Sequence, residues 1–387
     1  MDDVSWFKKA IIYHIFIDRF AGYKTTDWNK ADFLGGNIKE ITNKLPYFIE
    51  LGVNTLWLSP FYETSAYHGY HITDFYKVDP HFGNIKDIKE LIKQAHRKDI
   101  RVIADFVPNH CSKHHPYFKD AQQNKNSEYR KWFYFKKWPD NYLCFLSIKE
   151  IPKINLDYIP AREHIKKAAL HWLDLGFDGF RLDHVIGPKH SFWKYFRNEI
   201  KQRFPHAVLI GEAWMQGIRF NELRTINVRN KYLKWLYGKS SDLLLISYVG
   251  ELDGVLDFRF QQIIEDFVVR KSYSSKQVLQ KKIQDHFKKY PKDYYLPTFL
   301  DNHDMDRFLF KCNADKTKLM DAAKIQFSVD QPIIIYYGTE AGMTQESSMW
   351  HSPFHGDLQA RQPMNWDNPD KELLSFYKKH IYDEKTK

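Results

Sequence analysis

The sequence predicts an α/β fold, and a (β/α)8 TIM barrel is the arrangement that fits it best. Short apolar segments alternate with amphipathic helical segments along the chain, a pattern typical of a parallel sheet with helices outside it. About eight such strands can be assigned, which is the number in a TIM barrel. A doubly wound sheet is the structural alternative, but no GxGxxG motif follows any strand.

The predicted strands are short runs rich in Ile, Val, Leu and Phe. In chain order they are Ile11–Ile17, Val53–Ser59, Ile100–Phe106, Asp178–Asp183, Val208–Glu212, Val255–Phe260, Leu296–Asp301 and Pro332–Tyr337. Between them, Ile85–Ala95 has apolar residues at helical spacing, which predicts an amphipathic helix. Gly52 and Gly176 directly follow two further helical segments, as glycines that end helices do. A final helix is expected at Lys371–His380.

One connection is much longer than the others. About 45 residues, from His110 to Asn155, lie between the third strand and the helix that follows it, too many for a plain loop. We therefore predict a barrel formed by residues 1–110 and 156–387, with residues 111–155 as a small excursion domain between strand 3 and helix 3, over the barrel mouth. Trp132, Phe133, Tyr134 and Trp138 are expected to shape a ligand cleft there. The alternative is that they form only the core of the small domain.

Composition and charge limit the class of protein. The formal charge of +10 raises the question of nucleic-acid binding, but the lysines are spread along the chain and mostly accompanied by Asp or Glu, which predicts a solvated surface. No apolar run approaches the roughly 20 residues of a membrane helix. Cys111, Cys144 and Cys312 are too widely spaced to suggest a disulfide framework or a CxxC metal site. Because no signal peptide is visible, a cytoplasmic location is expected.

Three carboxylates directly follow predicted strands. Asp183 ends the fourth strand, Glu212 ends the fifth, and Asp304 follows the seventh. Any one of them alone would be read as a helix cap, but active sites of TIM barrels lie at this end of the strands. Paired carboxylates suit glycoside hydrolysis, in which one attacks the anomeric carbon and the other protonates the departing oxygen.

The sequence resembles the α-amylase family of retaining glycoside hydrolases over nearly its whole length. The matching motifs occur in the family's order: IYHIFIDRF, FLGGN, LPYFIELGVNTLWLSP, HGYHITDFYKVDPHFG, DFVPNH, GFRLDHV, GEAW, FLDNHD, PIIIYYGTEAGM and RQPMNW. Each motif alone is weak evidence, but the ordered set is specific. No cofactor is expected to be required for this chemistry.

The resemblance implies a role for each matching residue. Asp183 in RLDHV is expected to be the nucleophile, Glu212 in GEAW the acid/base, and Asp304 in DNHD the third carboxylate that grips sugar hydroxyls. The remaining candidates bind substrate or orient the nucleophile: Arg181 beside Asp183, His110 and His303 on the sugar, Tyr70 beneath it, and Trp214 in GEAW.

The segments PKIN (152–155) and RLDHVIGPKHSFW (181–193) resemble the branch that contains neopullulanase, cyclomaltodextrinase and maltogenic amylase. This branch implies hydrolysis of α-1,4-glucosidic bonds in maltodextrins, cyclodextrins or related α-glucans. A 4-α-glucanotransferase remains the alternative enzyme, because both reactions share one covalent intermediate. A catalytically inactive, amylase-like binding protein is the alternative outside enzymes.

The chain departs from the family in three places. The β-sandwich that usually precedes the barrel in this branch is expected to be absent, which leaves the oligomeric state open. The C-terminal β-sandwich is expected to be absent or truncated. His71 stands where the family usually has Asp. Asn109 matches a position that binds calcium in many relatives, so a calcium ion is a candidate ligand; the alternative is that Asn109 only braces the strand end.

Overall fold

The computed structural model describes residues 3–215, 241–272, 275–350 and 356–385. Its strands are β1 (Ile11–Ile15), β2 (Thr55–Leu58), β3 (Tyr62–Thr64), β4 (Ile72–Val78), β5 (Arg101–Phe106), β6 (Phe135–Lys137), β7 (Asn141–Tyr142), β8 (Gly179–Leu182), β9 (Val208–Gly211), β10 (Gly254–Val255) and β11 (Ile333–Tyr336). Its α-helices are Ile17–Phe20, Ile38–Asn43, Leu45–Leu51, Ile85–His96, Pro116–Gln123, Ile159–Asp174, His190–Arg203, Ser241–Ile246, Phe258–Val268, Lys276–Phe287, Phe308–Lys311, Lys316–Phe327 and Lys371–Lys385. Of these described helices, none has the length and apolar character that a bilayer-crossing segment needs.

The chain divides into two units, and the first comprises Met1–Val4, Pro60–Pro80 and Ile103–Val255. Within it, β10, β9, β8 and the Ile103–Phe106 part of β5 pair in parallel, in that order. β8 and β9 are buried along their whole length, and apart from Arg181 in β8 their residues are apolar or glycine, as expected for strands covered on both faces. β3 and β4 form a separate antiparallel pair.

The second unit comprises Ser5–Ser59, His81–Val102 and Leu256–Lys387. Here β1 lies between β2 and β11, and all three strands are parallel and fully buried. Parallel strands alternating with helices, as TIM barrels have, are therefore present in each unit. The closed eight-stranded barrel and an absent or truncated C-terminal β-sandwich remain predictions.

Local sequence signals fix several helix ends. The predicted helix from Ile85 is confirmed as Ile85–His96, and Asn84 starts it by accepting a hydrogen bond from the backbone N–H of Lys86. Leu45–Leu51 is confirmed and ends at Gly52, whose φ of 88° is the left-handed conformation that glycine adopts without strain. These signals depend only on neighbouring residues, which is why the sequence shows them.

Two predicted strands differ from the structure. Val255–Phe260 is wrong as a strand: only Gly254–Val255 is extended, and Phe258–Val268 is a helix. The cause is Asp257, whose carboxylate accepts the backbone N–H of Phe260 at 2.8 Å and starts the helix. Leu296–Asp301 contains one bridge, between Thr298 and Ile333, rather than a strand.

Residues 111–155 lie within the first unit and contain the helix Pro116–Gln123, the 3-10 helices Glu128–Trp132 and Phe145–Ser147, and the hairpin of β6 and β7. Phe133 is buried and packs edge-on against Phe118, with ring centroids 4.9 Å apart. Trp138 donates its indole N–H to the carbonyl of Ala121. These two side chains thus belong to the segment's own packing, while the cleft role proposed for the aromatic residues stays a prediction.

Candidate active site

Arg181 is the central residue of a charged cluster in the first unit. Its Nη1 donates to both carboxylate oxygens of Asp105, at 2.8 and 3.0 Å, and to Oδ1 of Asp183 at 2.8 Å. Its Nη2 lies 2.5 Å from Oε1 of Glu212. One guanidinium therefore binds three carboxylates, two of which are the predicted nucleophile and acid/base.

Strand register produces this cluster. β5 and β8 are parallel, and the register pairs Asp105 with Arg181 directly. Asp183 follows β8 and donates its backbone N–H to Phe106, at the end of β5. Glu212 follows β9 and donates its backbone N–H to Leu182 at 2.9 Å. The functional side chains therefore all project from the carboxyl ends of neighbouring strands.

The cluster is almost closed to solvent. The side chains of Asp183 and Glu212 are each 9% exposed, that of Arg181 1%, and that of Asp105 is fully buried. Burial alone would lower the pKa of Arg181, but the negative charges of Asp105, Glu212 and Asp183 outweigh it and raise that pKa well above its ordinary value. Arg181 is thus a permanent positive charge at the centre of the three carboxylates.

The residue after the proposed nucleophile has an unusual backbone. His184 has a φ of 46°, in the left-handed region that residues other than glycine seldom adopt. Its backbone N–H donates to Oε2 of Glu212 at 3.1 Å. Glu212 therefore binds Arg181 through one oxygen and the His184 backbone through the other, and both contacts fix its orientation.

Three further predicted substrate-binding residues also lie in the first unit. Tyr70 donates its hydroxyl to Asp105 at 2.9 Å, so it joins the cluster. His110 is buried, and burial together with the positive charges of His71 and Lys153 lowers its pKa to about 3, which keeps the imidazole neutral. Trp214 follows Glu212 by two residues and is partly exposed.

Asp304 and His303 belong to the second unit and form a cluster of their own. His303 Nε2 lies 2.9 Å from Oδ2 of Asp304. Arg361 donates from Nη2 to the other Asp304 oxygen at 2.8 Å, and from Nε to the carbonyl of His303 at 2.9 Å. The His303 ring packs edge-on against His14, which is itself stacked on Trp57. The carboxylate of Asp304 remains 31% exposed.

Two residues of these clusters were not predicted from the sequence. Asp105 begins the DFVPNH motif, which supported only the family resemblance, and its role depends on its position opposite Arg181 in the parallel register. Arg361 begins the RQPMNW motif, which was used only to support the family resemblance. In both cases the role depends on a partner more than fifty residues away in sequence.

The predicted calcium position has cationic surroundings. Asn109 is buried, and its neighbour His110 forms a backbone bridge with Lys153. The ammonium of Lys153 donates to the carbonyl oxygen of Gly187 at 2.6 Å. Among the residues that the structure describes, no group of three or more His, Cys, Asp or Glu side chains is arranged to hold a metal ion.

Comparison with known proteins establishes the family. The family model described as the alpha amylase catalytic domain matches residues 14–222 and 238–384. The chain belongs to the α-amylase family. The resemblance inferred from the ordered motifs is thereby confirmed.

Its relatives in that family include enzymes of the predicted branch. The chain is 38% identical to "Alpha-amylase 2" of Dictyoglomus thermophilum, and the match covers 97% of this chain and 63% of that protein. It is 29% identical to a cyclomaltodextrinase of a Bacillus species, and this match covers 96% of this chain and 65% of that protein. A neopullulanase of Thermoactinomyces vulgaris and an intracellular maltogenic amylase of Bacillus subtilis are each 28% identical to it over 97% of this chain. The chain spans less than two thirds of the length of these relatives.

A solved cyclomaltodextrinase structure superposes with a TM-score of 0.84 at 28% identity, covering 99% of this chain and 64% of the other. An α-amylase of Geobacillus thermoleovorans superposes with a TM-score of 0.80 at 26% identity, covering 98% and 79%. The chain therefore has the fold of the α-amylase catalytic domain.

Proposed function

We propose that this chain is a retaining glycoside hydrolase that cleaves α-1,4-glucosidic bonds in maltodextrins, cyclodextrins or related α-glucans. Asp183 attacks the anomeric carbon and forms a covalent glycosyl-enzyme, while Glu212 protonates the departing oxygen. Glu212 then removes a proton from water, which attacks the same carbon and releases the sugar with its α configuration retained.

The observation that carries this proposal is the sharing of Arg181 by the two carboxylates. Its neighbouring nitrogens bind Asp183 Oδ1 at 2.8 Å and Glu212 Oε1 at 2.5 Å. Two carboxylates on one guanidinium lie close together, which supports retention: retaining glycosidases have a separation of about 5–5.5 Å, and inverting ones about 6.5–9.5 Å. The same contact fixes the position of the Asp183 carboxylate that acts as the nucleophile.

The remaining roles rest on the family resemblance. Asp304 grips sugar hydroxyls and favours the distorted transition state, His110 and His303 hydrogen-bond the sugar, and Tyr70 stacks beneath it. Trp214 is a further substrate contact. A neutral His110 is suited to this task, because an uncharged imidazole can both donate to and accept from hydroxyl groups.

Short or cyclic glucans are the proposed substrates. The PKIN segment resembles enzymes that act on them, and the names of the relatives, cyclomaltodextrinase, neopullulanase and maltogenic amylase, support the same class. The name of the Bacillus subtilis relative also supports an intracellular, cytoplasmic location. We expect kcat/KM for maltoheptaose or a cyclodextrin to exceed that for soluble starch, with maltose or glucose as the main products.

Product analysis tests the proposal. The protein is incubated with maltotriose, maltoheptaose, a cyclodextrin and pullulan, and the products are separated by chromatography while NMR follows the anomeric proton. We expect shorter sugars released first as the α-anomer. A β-anomeric first product would refute retention, and long products with a clear preference for starch would refute the proposed substrate class.

The same assay separates the alternatives. A 4-α-glucanotransferase would convert maltotriose into longer oligosaccharides with little net gain in reducing ends. An inactive binding protein would leave every substrate unchanged while still binding it. Asp183→Asn provides the blank, because it removes the nucleophile but keeps the side-chain volume.

A further inference from the structure

Lys153 connects two segments next to the proposed nucleophile. Lys153 lies near the end of segment 111–155 and is only 8% exposed. Its ammonium donates a hydrogen bond to the carbonyl oxygen of Gly187 at 2.6 Å. Gly187 stands four residues after Asp183, in a turn closed by a hydrogen bond from its own N–H to His184. A single buried cation therefore holds the loop that follows Asp183.

Asn109 adds an oxygen to the same place. It is 1% exposed, and its Oδ1 has no hydrogen-bond partner among the described residues. This oxygen lies against Gly187, because a Cβ placed on Gly187 would approach it to 2.1 Å. The backbone of Asn109 accepts the N–H of Ile154 at 2.9 Å, and His110 pairs with Lys153. The amide oxygen, the carbonyl oxygen and the ammonium thus come from adjacent backbone segments.

The surroundings do not fit a calcium ion. Calcium requires about 6–8 oxygen ligands, usually including carboxylates. Asp157 is the acidic side chain that acts on Lys153, and it already pairs with Lys189 at 2.5 Å near the surface. The Gly187 carbonyl oxygen already accepts a hydrogen bond from the Lys153 ammonium. A divalent ion bound to the same oxygen would be repelled by this positive charge, which would oppose binding.

We propose that the Lys153 ammonium takes the place of a calcium ion between Asn109 and Gly187, so that the fold around Asp183 needs no metal there. An ammonium offers one positive charge and three donors, one of which the Gly187 carbonyl oxygen accepts, and it needs no carboxylate shell. Burial lowers the pKa of Lys153 to about 8, opposed by the charge of Asp157, so the group is mostly protonated at neutral pH. Lys153 is a positioning residue, because it acts on Asp183 through the loop.

Thermal unfolding tests this inference without any substrate, so its outcome is independent of the proposed function. The wild-type protein is melted in EDTA and in millimolar CaCl2, with MgCl2 as the control for ionic strength. We expect the same Tm in all three conditions. A Tm that rises specifically in calcium, or that falls in EDTA, would overturn the inference, because it would reveal a structural calcium ion.

Variants of Lys153 identify the group responsible. Lys153→Met keeps the length of the side chain and removes the charge, and we expect its Tm to fall by roughly 2–4 °C because the Gly187 carbonyl loses its partner. Lys189→Met is the matched control, since its ammonium pairs with Asp157 at 35% exposure and should change Tm little. Equal effects of the two substitutions would refute a special role for Lys153.

Lys153→Asp gives the most specific result. This variant places a carboxylate next to the amide oxygen of Asn109 and the carbonyl oxygen of Gly187 and removes the competing cation. We expect it to melt below wild type in EDTA and to recover part of the difference in CaCl2 but not in MgCl2. A folded Lys153→Asp protein that is indifferent to calcium would show that the ammonium does not occupy a cation position.

Discussion

Replacement of Asp105 by Asn would remove the charge of the most deeply buried member of the Arg181 cluster at almost constant volume. Asp105 is fully buried and receives two hydrogen bonds from Arg181 and one from Tyr70. Breaking a buried ion pair costs about 3–5 kcal/mol. The cost here should be about 2–3 kcal/mol, because Arg181 keeps two other carboxylates and the Asn carbonyl still accepts a hydrogen bond.

The expected effect on Tm follows from the size of the chain. An unfolding entropy of about 2.1 cal/mol/K per residue amounts to roughly 0.8 kcal/mol/K for 387 residues, so the loss corresponds to roughly 3–4 °C. Activity should suffer more than stability. An arginine released from Asp105 can move toward Asp183 and Glu212, and a shift of about 1 Å in a catalytic group can reduce kcat by roughly 100-fold.

The assays are differential scanning calorimetry and initial rates on maltoheptaose. Tyr70→Phe is the control for stability, because it keeps the ring and removes one hydrogen bond to Asp105, at a cost of about 1 kcal/mol. If Asp105→Asn has the Tm and kcat/KM of wild type, or loses no more stability than Tyr70→Phe, then Asp105 does not hold Arg181 in place and the reasoning fails.

Four further outcomes are expected. Asp183→Asn should lower kcat by roughly 1,000-fold or more, as the loss of a nucleophile does in other enzymes, and its circular dichroism spectrum should match that of wild type. Turnover within tenfold of wild type would reject Asp183 as the nucleophile. Arg361→Met should reduce kcat/KM for maltoheptaose by roughly 10-fold or more, because the Asp304 carboxylate loses its ion pair with Arg361. An unchanged kcat/KM would show that Arg361 does not contribute to substrate binding. His115 caps the helix Pro116–Gln123 because its neutral imidazole accepts the backbone N–H of Tyr117. Burial lowers the pKa of His115 to about 4, below the value of about 6.5 in the unfolded chain. Its contribution to stability is therefore present above pH 6.5 and is lost as the pH falls toward 4. His115→Asn keeps the cap without titrating, so its Tm should fall less than that of wild type over this range, and identical pH profiles would exclude His115. Phe133→Ala should lower the free energy of unfolding by about 3–4 kcal/mol and leave KM unchanged, because Phe133 is buried. Trp132→Ala should instead raise KM. If Trp132→Ala also loses stability with an unchanged KM, Trp132 has no role in the cleft.

The elements that the sequence predicts well are those with local causes. Helix Ile85–His96 has both an apolar period and an Asn cap, and Leu45–Leu51 has its terminal glycine. The segment after Val255 is a helix rather than the predicted strand, because a short apolar run fits a strand or a buried helix equally well and the cap at Asp257 decides between them. Whether Thr298 lies in a strand depends on its partner Ile333, which no local pattern shows.

The candidate site divides in the same way. Motifs identified Asp183, Glu212 and Arg181, and the structure brings these three into direct contact. Asp105 could not be assigned from its own surroundings, because its role follows from the register between β5 and β8. The interaction of Lys153 with Gly187 joins residues 34 positions apart and involves a backbone oxygen, which leaves no trace in residue type.

The charges of the Arg181 cluster also have a consequence for inhibition. Three carboxylates face one guanidinium, so with Glu212 protonated as the acid the cluster still carries one surplus negative charge in a nearly dry environment. A developing oxocarbenium ion would be stabilised by that surplus, and a stable cation of the same shape would benefit before any reaction occurs. Sugar analogues with a protonated ring nitrogen should therefore bind much more tightly than neutral sugars, and their affinity should fall in Asp183→Asn, which removes the surplus charge.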